Sequence, residues 1–277
     1  MITRFAPSPT GQLHLGHAYS AILGHDMTRA AGGRFLLRME DTDRERCRPE
    51  YEAGIITDLT WLGLTWDGPI HRQSEHIARY NARLSPLADR GLLYPCSCTR
   101  SDIRASLAAP QEGVVHNVYP GTCRGRPMAS RQPGDALRLD LNAALASLAG
   151  TDLHFTETGP AHTEQHRVDA ATALRDIGDV VLARKGEDIV AYFLASAFDD
   201  ADQGITHVIR GEDLFAFTPI QVILQHLLGL PTPIYHHHRL IRDEGGKRLA
   251  KRDDARALSL YRAKGTTPAE IRQMIGL

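Results

Sequence analysis

The chain of 277 residues has little lysine, little cysteine, almost no net charge and no long apolar run. Only four of its 32 basic residues are lysines, and two of these, Lys247 and Lys251, lie close together. The formal net charge of −1 excludes nucleic-acid binding through overall charge, so such binding needs a local basic patch. No apolar run reaches membrane-spanning length, and the N-terminus lacks a basic stretch followed by an apolar one. We therefore expect a cytoplasmic protein.

The N-terminal stretch combines an apolar run, a rigid loop and the start of a helix. Residues 1–5 are mostly apolar and predict a strand. Pro7 and Pro9 cannot continue a ladder or begin a regular helix between them, and Gly11 relaxes the turn that follows. From Leu13 onward, apolar residues recur at helical spacing. The order of elements is therefore strand, loop, helix.

His14, Gly16 and His17 lie where this helix begins. A helix N-terminus offers unpaired N–H groups and the positive end of the dipole, which suits a phosphate. Two histidines three residues apart face the same side and can hold the oxygens of a phosphate whose charge is redistributing. Gly16 leaves the backbone accessible to a flat ligand such as adenine. The alternative is a helix start that happens to carry two histidines.

An acidic cluster follows the next predicted strand, residues 34–39. Carboxylates just beyond the carboxyl end of a strand lie where open parallel sheets bind ligands. Glu40 is accordingly a candidate partner for an ammonium group. Asp41, Thr42 and Asp43 have the alternative role of capping the next helix.

Three segments carry a resemblance to the class I aminoacyl-tRNA synthetases. His14-Leu15-Gly16-His17 resembles their HIGH signature, and residues 4–11 resemble the glutamyl/glutaminyl branch. The glycine-containing basic segment 245–252 resembles the KMSKS loop in its glutamyl form. In that segment Lys251 is retained, while Arg248 replaces the first lysine and Ala250 replaces the serine. Without the resemblance, the same segment could be a solvated basic turn.

The resemblance covers essentially the whole chain and implies an α/β fold. It implies a class I synthetase Rossmann-like nucleotide-binding fold with an inserted α+β subdomain of the acceptor-binding type. The expected divisions are residues 1–93 (first half of the catalytic domain), 94–178 (insertion with a zinc site), 179–254 (second half with the KMSKS-like loop) and 255–277 (C-terminal helices). Only 26 residues follow Lys251, which leaves no room for an anticodon-binding domain. The resemblance is therefore closest to the short paralogues, the glutamyl-queuosine tRNA(Asp) synthetases.

Three of the four cysteines, Cys96, Cys98 and Cys123, lie within 28 residues and suggest a metal site. Thiolates favour zinc, and a structural zinc ion takes four ligands. Coordination chemistry alone nominates His116 as the fourth ligand. The resemblance nominates Tyr119, because the short paralogues carry a Cys-x-Cys, Tyr-x-x-x-Cys site. The alternative is reduced cysteines without a metal, and disulfides are not expected in a cytoplasmic chain.

A second candidate ligand group is Arg210, which follows the predicted strand 205–209 as Glu40 follows its own strand. The planar guanidinium can bind a carboxylate, or it can pair with the neighbouring Glu212 or Asp213. Together with Arg4, two cations and one anion would frame an acidic amino acid. The resemblance implies that glutamate is bound by Arg4, Phe5, Ala6, Pro7, Ser8, Glu40, Tyr192 and Arg210.

The resemblance implies a ligase-type enzyme that activates L-glutamate with ATP and passes it to queuosine in the anticodon of tRNA(Asp). His14, Gly16, His17 and Lys251 would bind ATP, and the two histidines and Lys251 would be catalytic. The expected cofactors are one structural Zn²⁺ ion and Mg²⁺ with ATP; no membrane partner is expected, and the chain should be a monomer. The alternatives are a truncated synthetase charging the 3′ end of tRNA(Glu), a small-molecule nucleotidyltransferase and a non-catalytic tRNA-binding paralogue.

Overall fold

The computed structural model describes residues 1–99, 101–103, 118–184, 190–241 and 257–277. His116 and the KMSKS-like segment with Arg248, Ala250 and Lys251 lie outside the described residues. The helices in those ranges are α1 (Leu15–Ala30), α2 (Pro49–Trp61), α3 (Ile77–Asp89), α4 (Leu141–Ser147), α5 (Ala170–Asp176), α6 (Tyr192–Asp202), α7 (Thr218–Leu227), α8 (Leu258–Ala263) and α9 (Pro268–Ile275). The strands are β1 (Ile2–Phe5), β2 (Arg34–Met39), β3 (His71–Arg72), β4 (Leu93–Cys96), β5 (Ala136–Leu139), β6 (His154–Glu157), β7 (Glu164–Arg167), β8 (Val181–Ala183), β9 (His207–Gly211) and β10 (Ile234–His238). Among these helices, none is both long and apolar enough to cross a membrane.

Parallel strands from the two ends of the chain meet side by side. β1 pairs with β2 and β2 with β3, all in parallel, and β9 pairs in parallel with β10. The residue before β9 joins the two groups, since the Thr206 N–H donates to the Ile2 carbonyl at 2.9 Å. The carboxyl ends of β1, β2, β9 and β10 therefore face one edge, where α/β proteins bind their ligands. The predicted α/β fold is confirmed.

An apolar stripe along one face of α1 packs against the parallel strands. Leu15, Ala18 and Ile22 are buried at helical spacing and pack in one apolar cluster with Phe35 and Leu37 of β2. Successive residues of β2 are buried on both faces, as expected for an interior parallel strand. The burial fixes α1 against the sheet, so the first turn of the helix stands at the ligand-binding edge.

Strand pairing and helix capping add two details to the sequence-based expectations. The strand β6 pairs in parallel with β10, while β8 pairs with β5. The helix α2 begins at Pro49 with Arg48 as its N-cap, so the alternative that Asp41, Thr42 or Asp43 caps it is wrong. The carboxylate of Asp41 instead accepts hydrogen bonds from the backbone and hydroxyl of Ser74 at 2.8 and 2.6 Å.

Candidate active site

The two histidines of the signature are locked together at the first turn of α1. His14 is the N-cap, and its Nδ1 accepts the Gly16 N–H at 3.1 Å. His17 Nδ1 in turn accepts the His14 N–H at 3.1 Å, and the two ring centroids are 3.8 Å apart. Because both Nδ1 atoms accept, the neutral rings carry their proton on Nε2. The arrangement therefore presents two N–H donors beside a helix N-terminus, as a polyphosphate requires.

Gly16 leaves room for this arrangement, because a Cβ there would lie 3.0 Å from Cε1 of His14 and the ring would have to shift by a few tenths of an ångström. A larger residue would push the N-cap ring away from its backbone donor. The chain after residue 256 also returns to this point, since Ala257 forms an isolated antiparallel bridge with His14 and Leu258 N–H donates to Leu13 O at 2.8 Å. The helix tip is thus tied to the chain at Ala257 and Leu258, which follow the KMSKS-like segment in the sequence.

A cavity of about 270 Å³ opens beside this helix tip. His17 forms part of its wall, as do Ser20, Ile209 and Leu214. The structure brings all eight residues predicted to hold glutamate to the same cavity: Arg4, Phe5, Ala6, Pro7, Ser8, Glu40, Tyr192 and Arg210. The space suits a small polar molecule, and its position next to His17 allows such a molecule to meet a phosphate at the helix tip.

Arg4 is compensated by a carboxylate that its sequence neighbourhood does not reveal. Its Nε donates to Asp200 of α6 at 2.8 Å, and its Nη2 donates to the other carboxylate oxygen at 3.4 Å. Asp200 also accepts from Nη2 of Arg38 at 2.6 Å. Although burial opposes its ionisation, the charges of Arg4 and Arg38 lower the pKa of Asp200. Arg4 therefore enters the cavity wall as half of an ion pair.

Arg210 has different surroundings. Its Nε donates to His237 Nε2 at 2.9 Å, its Nη1 donates to Gln221 Oε1, and its Nη2 donates to Thr218 Oγ1 at 3.0 Å. The Tyr192 hydroxyl lies 3.4 Å from Nη1. Every one of these acceptors is uncharged.

The predicted alternative, an ion pair between Arg210 and Glu212 or Asp213, is wrong. Within the described part of the chain, no carboxylate lies within 4.0 Å of the Arg210 guanidinium. Glu212 lies 3.3 Å from His162 Nε2 instead. The cation at this end of the cavity is therefore held in place by dipoles, and an entering carboxylate could pair with it directly.

Glu40 lies at the end of β2, on the same cavity wall as Arg4. Burial raises the pKa of Glu40 to about 7, against the opposing effect of Arg38 and Arg4. Asp200 and Asp199 add to the upward shift because they are also negative. A ligand ammonium would favour the ionised form of Glu40, so this carboxyl group is poised to change charge near neutral pH.

The residues that support these side chains were not among the predicted site residues. Asp200, Gln221 and Thr218 lie on helices with no motif around them, and His237 is the middle residue of the run His236–His238 on β10. In the structure the middle histidine, His237, contacts Arg210 directly. The face alternation along a strand was the available signal, because it separates His237 from its two neighbours.

A second candidate site lies at the four predicted metal ligands. Cys96, Cys98 and Cys123 bring their sulfur atoms within 4.8 Å of one another. The Tyr119 hydroxyl lies 3.4 Å from Cys96 Sγ and 3.5 Å from Cys98 Sγ. The three thiols supply the soft donors that zinc favours, and the phenol oxygen of Tyr119 is the fourth group beside them.

Neighbouring groups favour the thiolate form of Cys123, whereas burial raises the pKa of Cys98. Burial alone would raise the pKa of Cys123, but hydrogen bonds, first that from Tyr119, lower the pKa to about 6. Arg138 Nε donates to Cys96 Sγ at 3.3 Å, and the Arg138 guanidinium lies 3.8 Å from the centre of the Tyr119 ring. A metal ligand must be deprotonated, so a neighbouring cation supports metal binding here. Cys47 is not part of this group.

Comparisons with known proteins agree on one family. The model of the catalytic domain of class I tRNA synthetases (E and Q) matches residues 1–126 and 158–277. The glutamyl-Q tRNA(Asp) synthetase of Rhodobacter capsulatus is 58% identical, with 100% of each chain covered. That of Nocardia farcinica is 41% identical, and the match covers 97% of this chain and 81% of the relative.

Solved structures give the same answer. The glutamate-tRNA synthetase of Elizabethkingia anophelis superposes with a TM-score of 0.72 at 28% identity, and the match covers 92% of this chain. This chain spans about half of that synthetase, 53% of its length. The methionyl-tRNA synthetase of Mycobacterium tuberculosis, at 12% identity and a TM-score of 0.59, shares the fold. The chain belongs to the class I glutamyl/glutaminyl-tRNA synthetase family and, within it, to the glutamyl-Q tRNA(Asp) synthetases.

Proposed function

We propose that this chain activates L-glutamate with ATP and Mg²⁺ as glutamyl-adenylate and transfers the glutamyl group to queuosine in the anticodon of tRNA(Asp). It does so in the cytoplasm and as a monomer. The observation that carries the activation step is the cavity that joins Arg4, Glu40 and Arg210 to His17 at the tip of α1. The acceptor follows from the names of the relatives, which are glutamyl-Q tRNA(Asp) synthetases.

The first step is an in-line displacement at phosphorus. The α-carboxylate oxygen of glutamate forms a bond to the α-phosphorus of ATP, and the bond to the bridging oxygen breaks, so pyrophosphate leaves with both electrons. The Nε2–H groups of His14 and His17 donate to the phosphoryl oxygens as their negative charge increases. No covalent intermediate with the enzyme forms, so catalysis comes from positioning and electrostatics.

Recognition of glutamate uses the charges around the cavity. The carboxylate of Glu40 accepts hydrogen bonds from the ammonium group of the substrate. The guanidinium of Arg210 binds the side-chain carboxylate of glutamate, together with Arg4 and Tyr192. A neutral amino acid would leave the charge of Arg210 unpaired. Because an unpaired charge in a buried site costs binding free energy, the site selects against such a substrate. In the second step a queuosine hydroxyl attacks the carbonyl carbon of the adenylate, and AMP leaves.

Lys251 neutralises the leaving pyrophosphate. It lies outside the described residues, but it is only six positions before Ala257, which is bridged to His14. Six positions of fully extended chain span at most about 20 Å, a length that allows Lys251 to reach a phosphate at the helix tip.

Zinc is the structural metal of this proposal, held by Cys96, Cys98, Tyr119 and Cys123. It would cross-link the end of β4 to the segment that contains Tyr119 and Cys123. These four residues would supply the donors, and Arg138 would stabilise the thiolate of Cys96. The competing fourth ligand, His116, is separated from Tyr119 by only two residues.

The decisive experiment uses labelled glutamate, ATP and short RNA hairpins. A hairpin with the anticodon stem and loop of tRNA(Asp) is prepared with queuosine or with guanosine at the modified position. We expect label only on the queuosine hairpin, because it offers the cyclopentene hydroxyls and has no 3′ acceptor end of a tRNA. Label on intact tRNA(Glu) but on neither hairpin would indicate 3′ charging instead, and pyrophosphate exchange independent of glutamate would indicate another nucleotidyltransferase.

A further inference from the structure

The side chain of His237 bridges two charged residues that do not contact each other. On one side its Nε2 lies 2.9 Å from Nε of Arg210, and on the other its Nδ1 contacts Oε2 of Glu157. Glu157 and His237 are each only 1% exposed. The three residues come from three neighbouring strands, β6, β10 and β9, which pair in parallel in that order.

The contacts determine which nitrogen of His237 carries the proton. An arginine Nε–H can only donate, so His237 Nε2 must accept and must carry no hydrogen. Thr218 Oγ1 lies 3.4 Å from the same Nε2 atom. The ring proton therefore sits on Nδ1 and is donated to Glu157. A carboxylate that fixes the tautomer of a histidine in this way also fixes the orientation of the ring.

Glu157 is itself held by the backbone of the strand it supports. Its Oε1 accepts the N–H of His237 at 2.9 Å and the N–H of Gly159 at 2.6 Å. Burial alone would raise the pKa of Glu157, but the donors from His237 and Gly159 lower the pKa to about 2. A Cβ at Gly159 would lie 2.1 Å from the His237 carbonyl oxygen, so only glycine allows the two segments to approach this closely. Glu157 is therefore an ionised, immobile acceptor.

We infer that Glu157 and His237 are positioning residues for glutamate recognition, which hold the Arg210 guanidinium through an uncharged imidazole and so leave its charge available to the substrate carboxylate. This inference rests on the proposed function, because it assigns Arg210 to the side chain of the amino-acid substrate. Arg4 provides the contrast, since its guanidinium already pairs with Asp200 at 2.8 Å. Placing the imidazole between Glu157 and Arg210 keeps the carboxylate from occupying the substrate's position on the guanidinium.

The variant Glu157→Gln tests this arrangement at a single atom. The amide oxygen can still accept the two backbone N–H groups, but its NH₂ replaces the acceptor that faced Nδ1. The NH₂ donates to Nδ1, so the ring proton moves to Nε2 and opposes the Nε–H of Arg210. The matched control is Glu164→Gln, because Glu164 is the exposed cross-strand partner of Glu157 on β7.

The first readout is independent of activity. In protein labelled with ¹⁵N-histidine, long-range ¹H–¹⁵N correlation spectra distinguish protonated from unprotonated ring nitrogens, and the His237 signals are those lost in His237→Gln. We expect an Nδ1–H tautomer in the wild type and in Glu164→Gln, and an Nε2–H tautomer in Glu157→Gln. An Nε2–H tautomer in the wild type overturns the inference, whether or not any variant folds.

The second readout is ATP–pyrophosphate exchange. We expect the KM for glutamate to rise about tenfold or more in Glu157→Gln, as for a lost hydrogen bond to a charged group, with the KM for ATP unchanged. His237→Gln, whose amide keeps one donor and one acceptor, should retain more affinity for glutamate than His237→Phe. An unchanged KM for glutamate in Glu157→Gln despite the switched tautomer overturns the inference. Absence of glutamate-dependent exchange in the wild type contradicts the proposed function instead, while the spectra still test the arrangement of Glu157, His237 and Arg210.

Discussion

Arg4 of β1 forms a buried ion pair with Asp200 of α6, at 2.8 Å between Nε and the carboxylate. The side chains are 4% and 5% exposed, and Arg38 of β2 shares the same carboxylate at 2.6 Å. One aspartate thus links the first two strands of the chain to a helix that is distant in the sequence, since Arg4 and Asp200 are 196 positions apart. The cavity wall depends on this contact for the position of Arg4.

Replacing Asp200 by asparagine should destabilise the fold. The change leaves Arg4 and Arg38 buried without their shared counter-charge, and breaking one side of a buried pair typically costs about 3–5 kcal/mol. Asp202→Asn is the control, because Asp202 lies on the same helix but pairs with the half-exposed Arg79. Urea denaturation should show a large loss for Asp200→Asn and less than about 1 kcal/mol for Asp202→Asn. Equal losses in the two variants would contradict the role given to Asp200.

Activity should depend on pH through Glu40. The raised pKa of about 7, caused by burial, means that Glu40 is protonated in part of the free enzyme at neutral pH. Because the ionised form binds the substrate ammonium, kcat/KM for glutamate in pyrophosphate exchange should rise between about pH 6 and pH 8 and then level off. Glu40→Gln should have low activity and lack this rise. A flat profile in the wild type would argue against the assignment.

The same group contributes to stability with the opposite slope. Its pKa is higher in the folded chain than the usual value of 4.5, so the folded state binds more protons between these pH values. The contribution of Glu40 to stability is therefore fully present below about pH 4.5 and is lost as the pH rises through about 7. Comparing the wild type with Glu40→Gln across this range isolates the effect, and parallel stability curves would contradict it.

Two substitutions of His14 separate its structural role from its catalytic one. His14→Ala removes both the N-cap acceptor and the Nε2 donor, and it should cost about 1 kcal/mol of stability together with most of the exchange activity. His14→Asn restores a good N-cap but not the donor. It should melt near the wild-type temperature, while exchange falls about 100-fold or more. Wild-type exchange in His14→Asn would remove His14 from the catalytic group.

Zinc content should follow the four predicted ligands. We expect about one zinc ion per chain by elemental analysis, lost in Cys98→Ser and Cys123→Ser because each removes a thiolate. Cys47→Ser is the control, since Cys47 lies outside the thiol group. Tyr119→Phe and His116→Ala decide the fourth ligand. Weaker zinc retention against a chelator in His116→Ala but not in Tyr119→Phe would favour the histidine.

Local sequence patterns predicted the parts of the site that lie on one segment. The helix start at His14 and the strand β2 from Arg34 to Met39 follow from the prolines of the preceding loop and from apolar spacing. Each of these depends on residues within a few positions of one another. Glu40 and Arg210 were predicted because each follows a strand and parallel strands end at a common edge, whereas the remaining cavity residues from 5 to 8 and Tyr192 were implied by the family resemblance.

The supporting contacts could not be predicted in the same way. Glu157 and His237 are 80 residues apart, and nothing near Glu157 distinguishes it from a surface glutamate on an alternating strand. Its burial results from the pairing of β6 with β10, which is a property of the folded sheet.

The pairing of β6 with β10 also limits which segments of the chain can be exchanged for those of another protein. The expected insertion, residues 94–178, would be a module placed between two halves of a nucleotide-binding domain, yet it contributes strand β6 and the buried carboxylate of Glu157 to a sheet with β9 and β10. Exchanging the whole segment for one from another synthetase would therefore also replace Glu157, which supports Arg210 in the amino-acid pocket through His237. Grafts that alter tRNA contacts should therefore leave residues 153–168 in place.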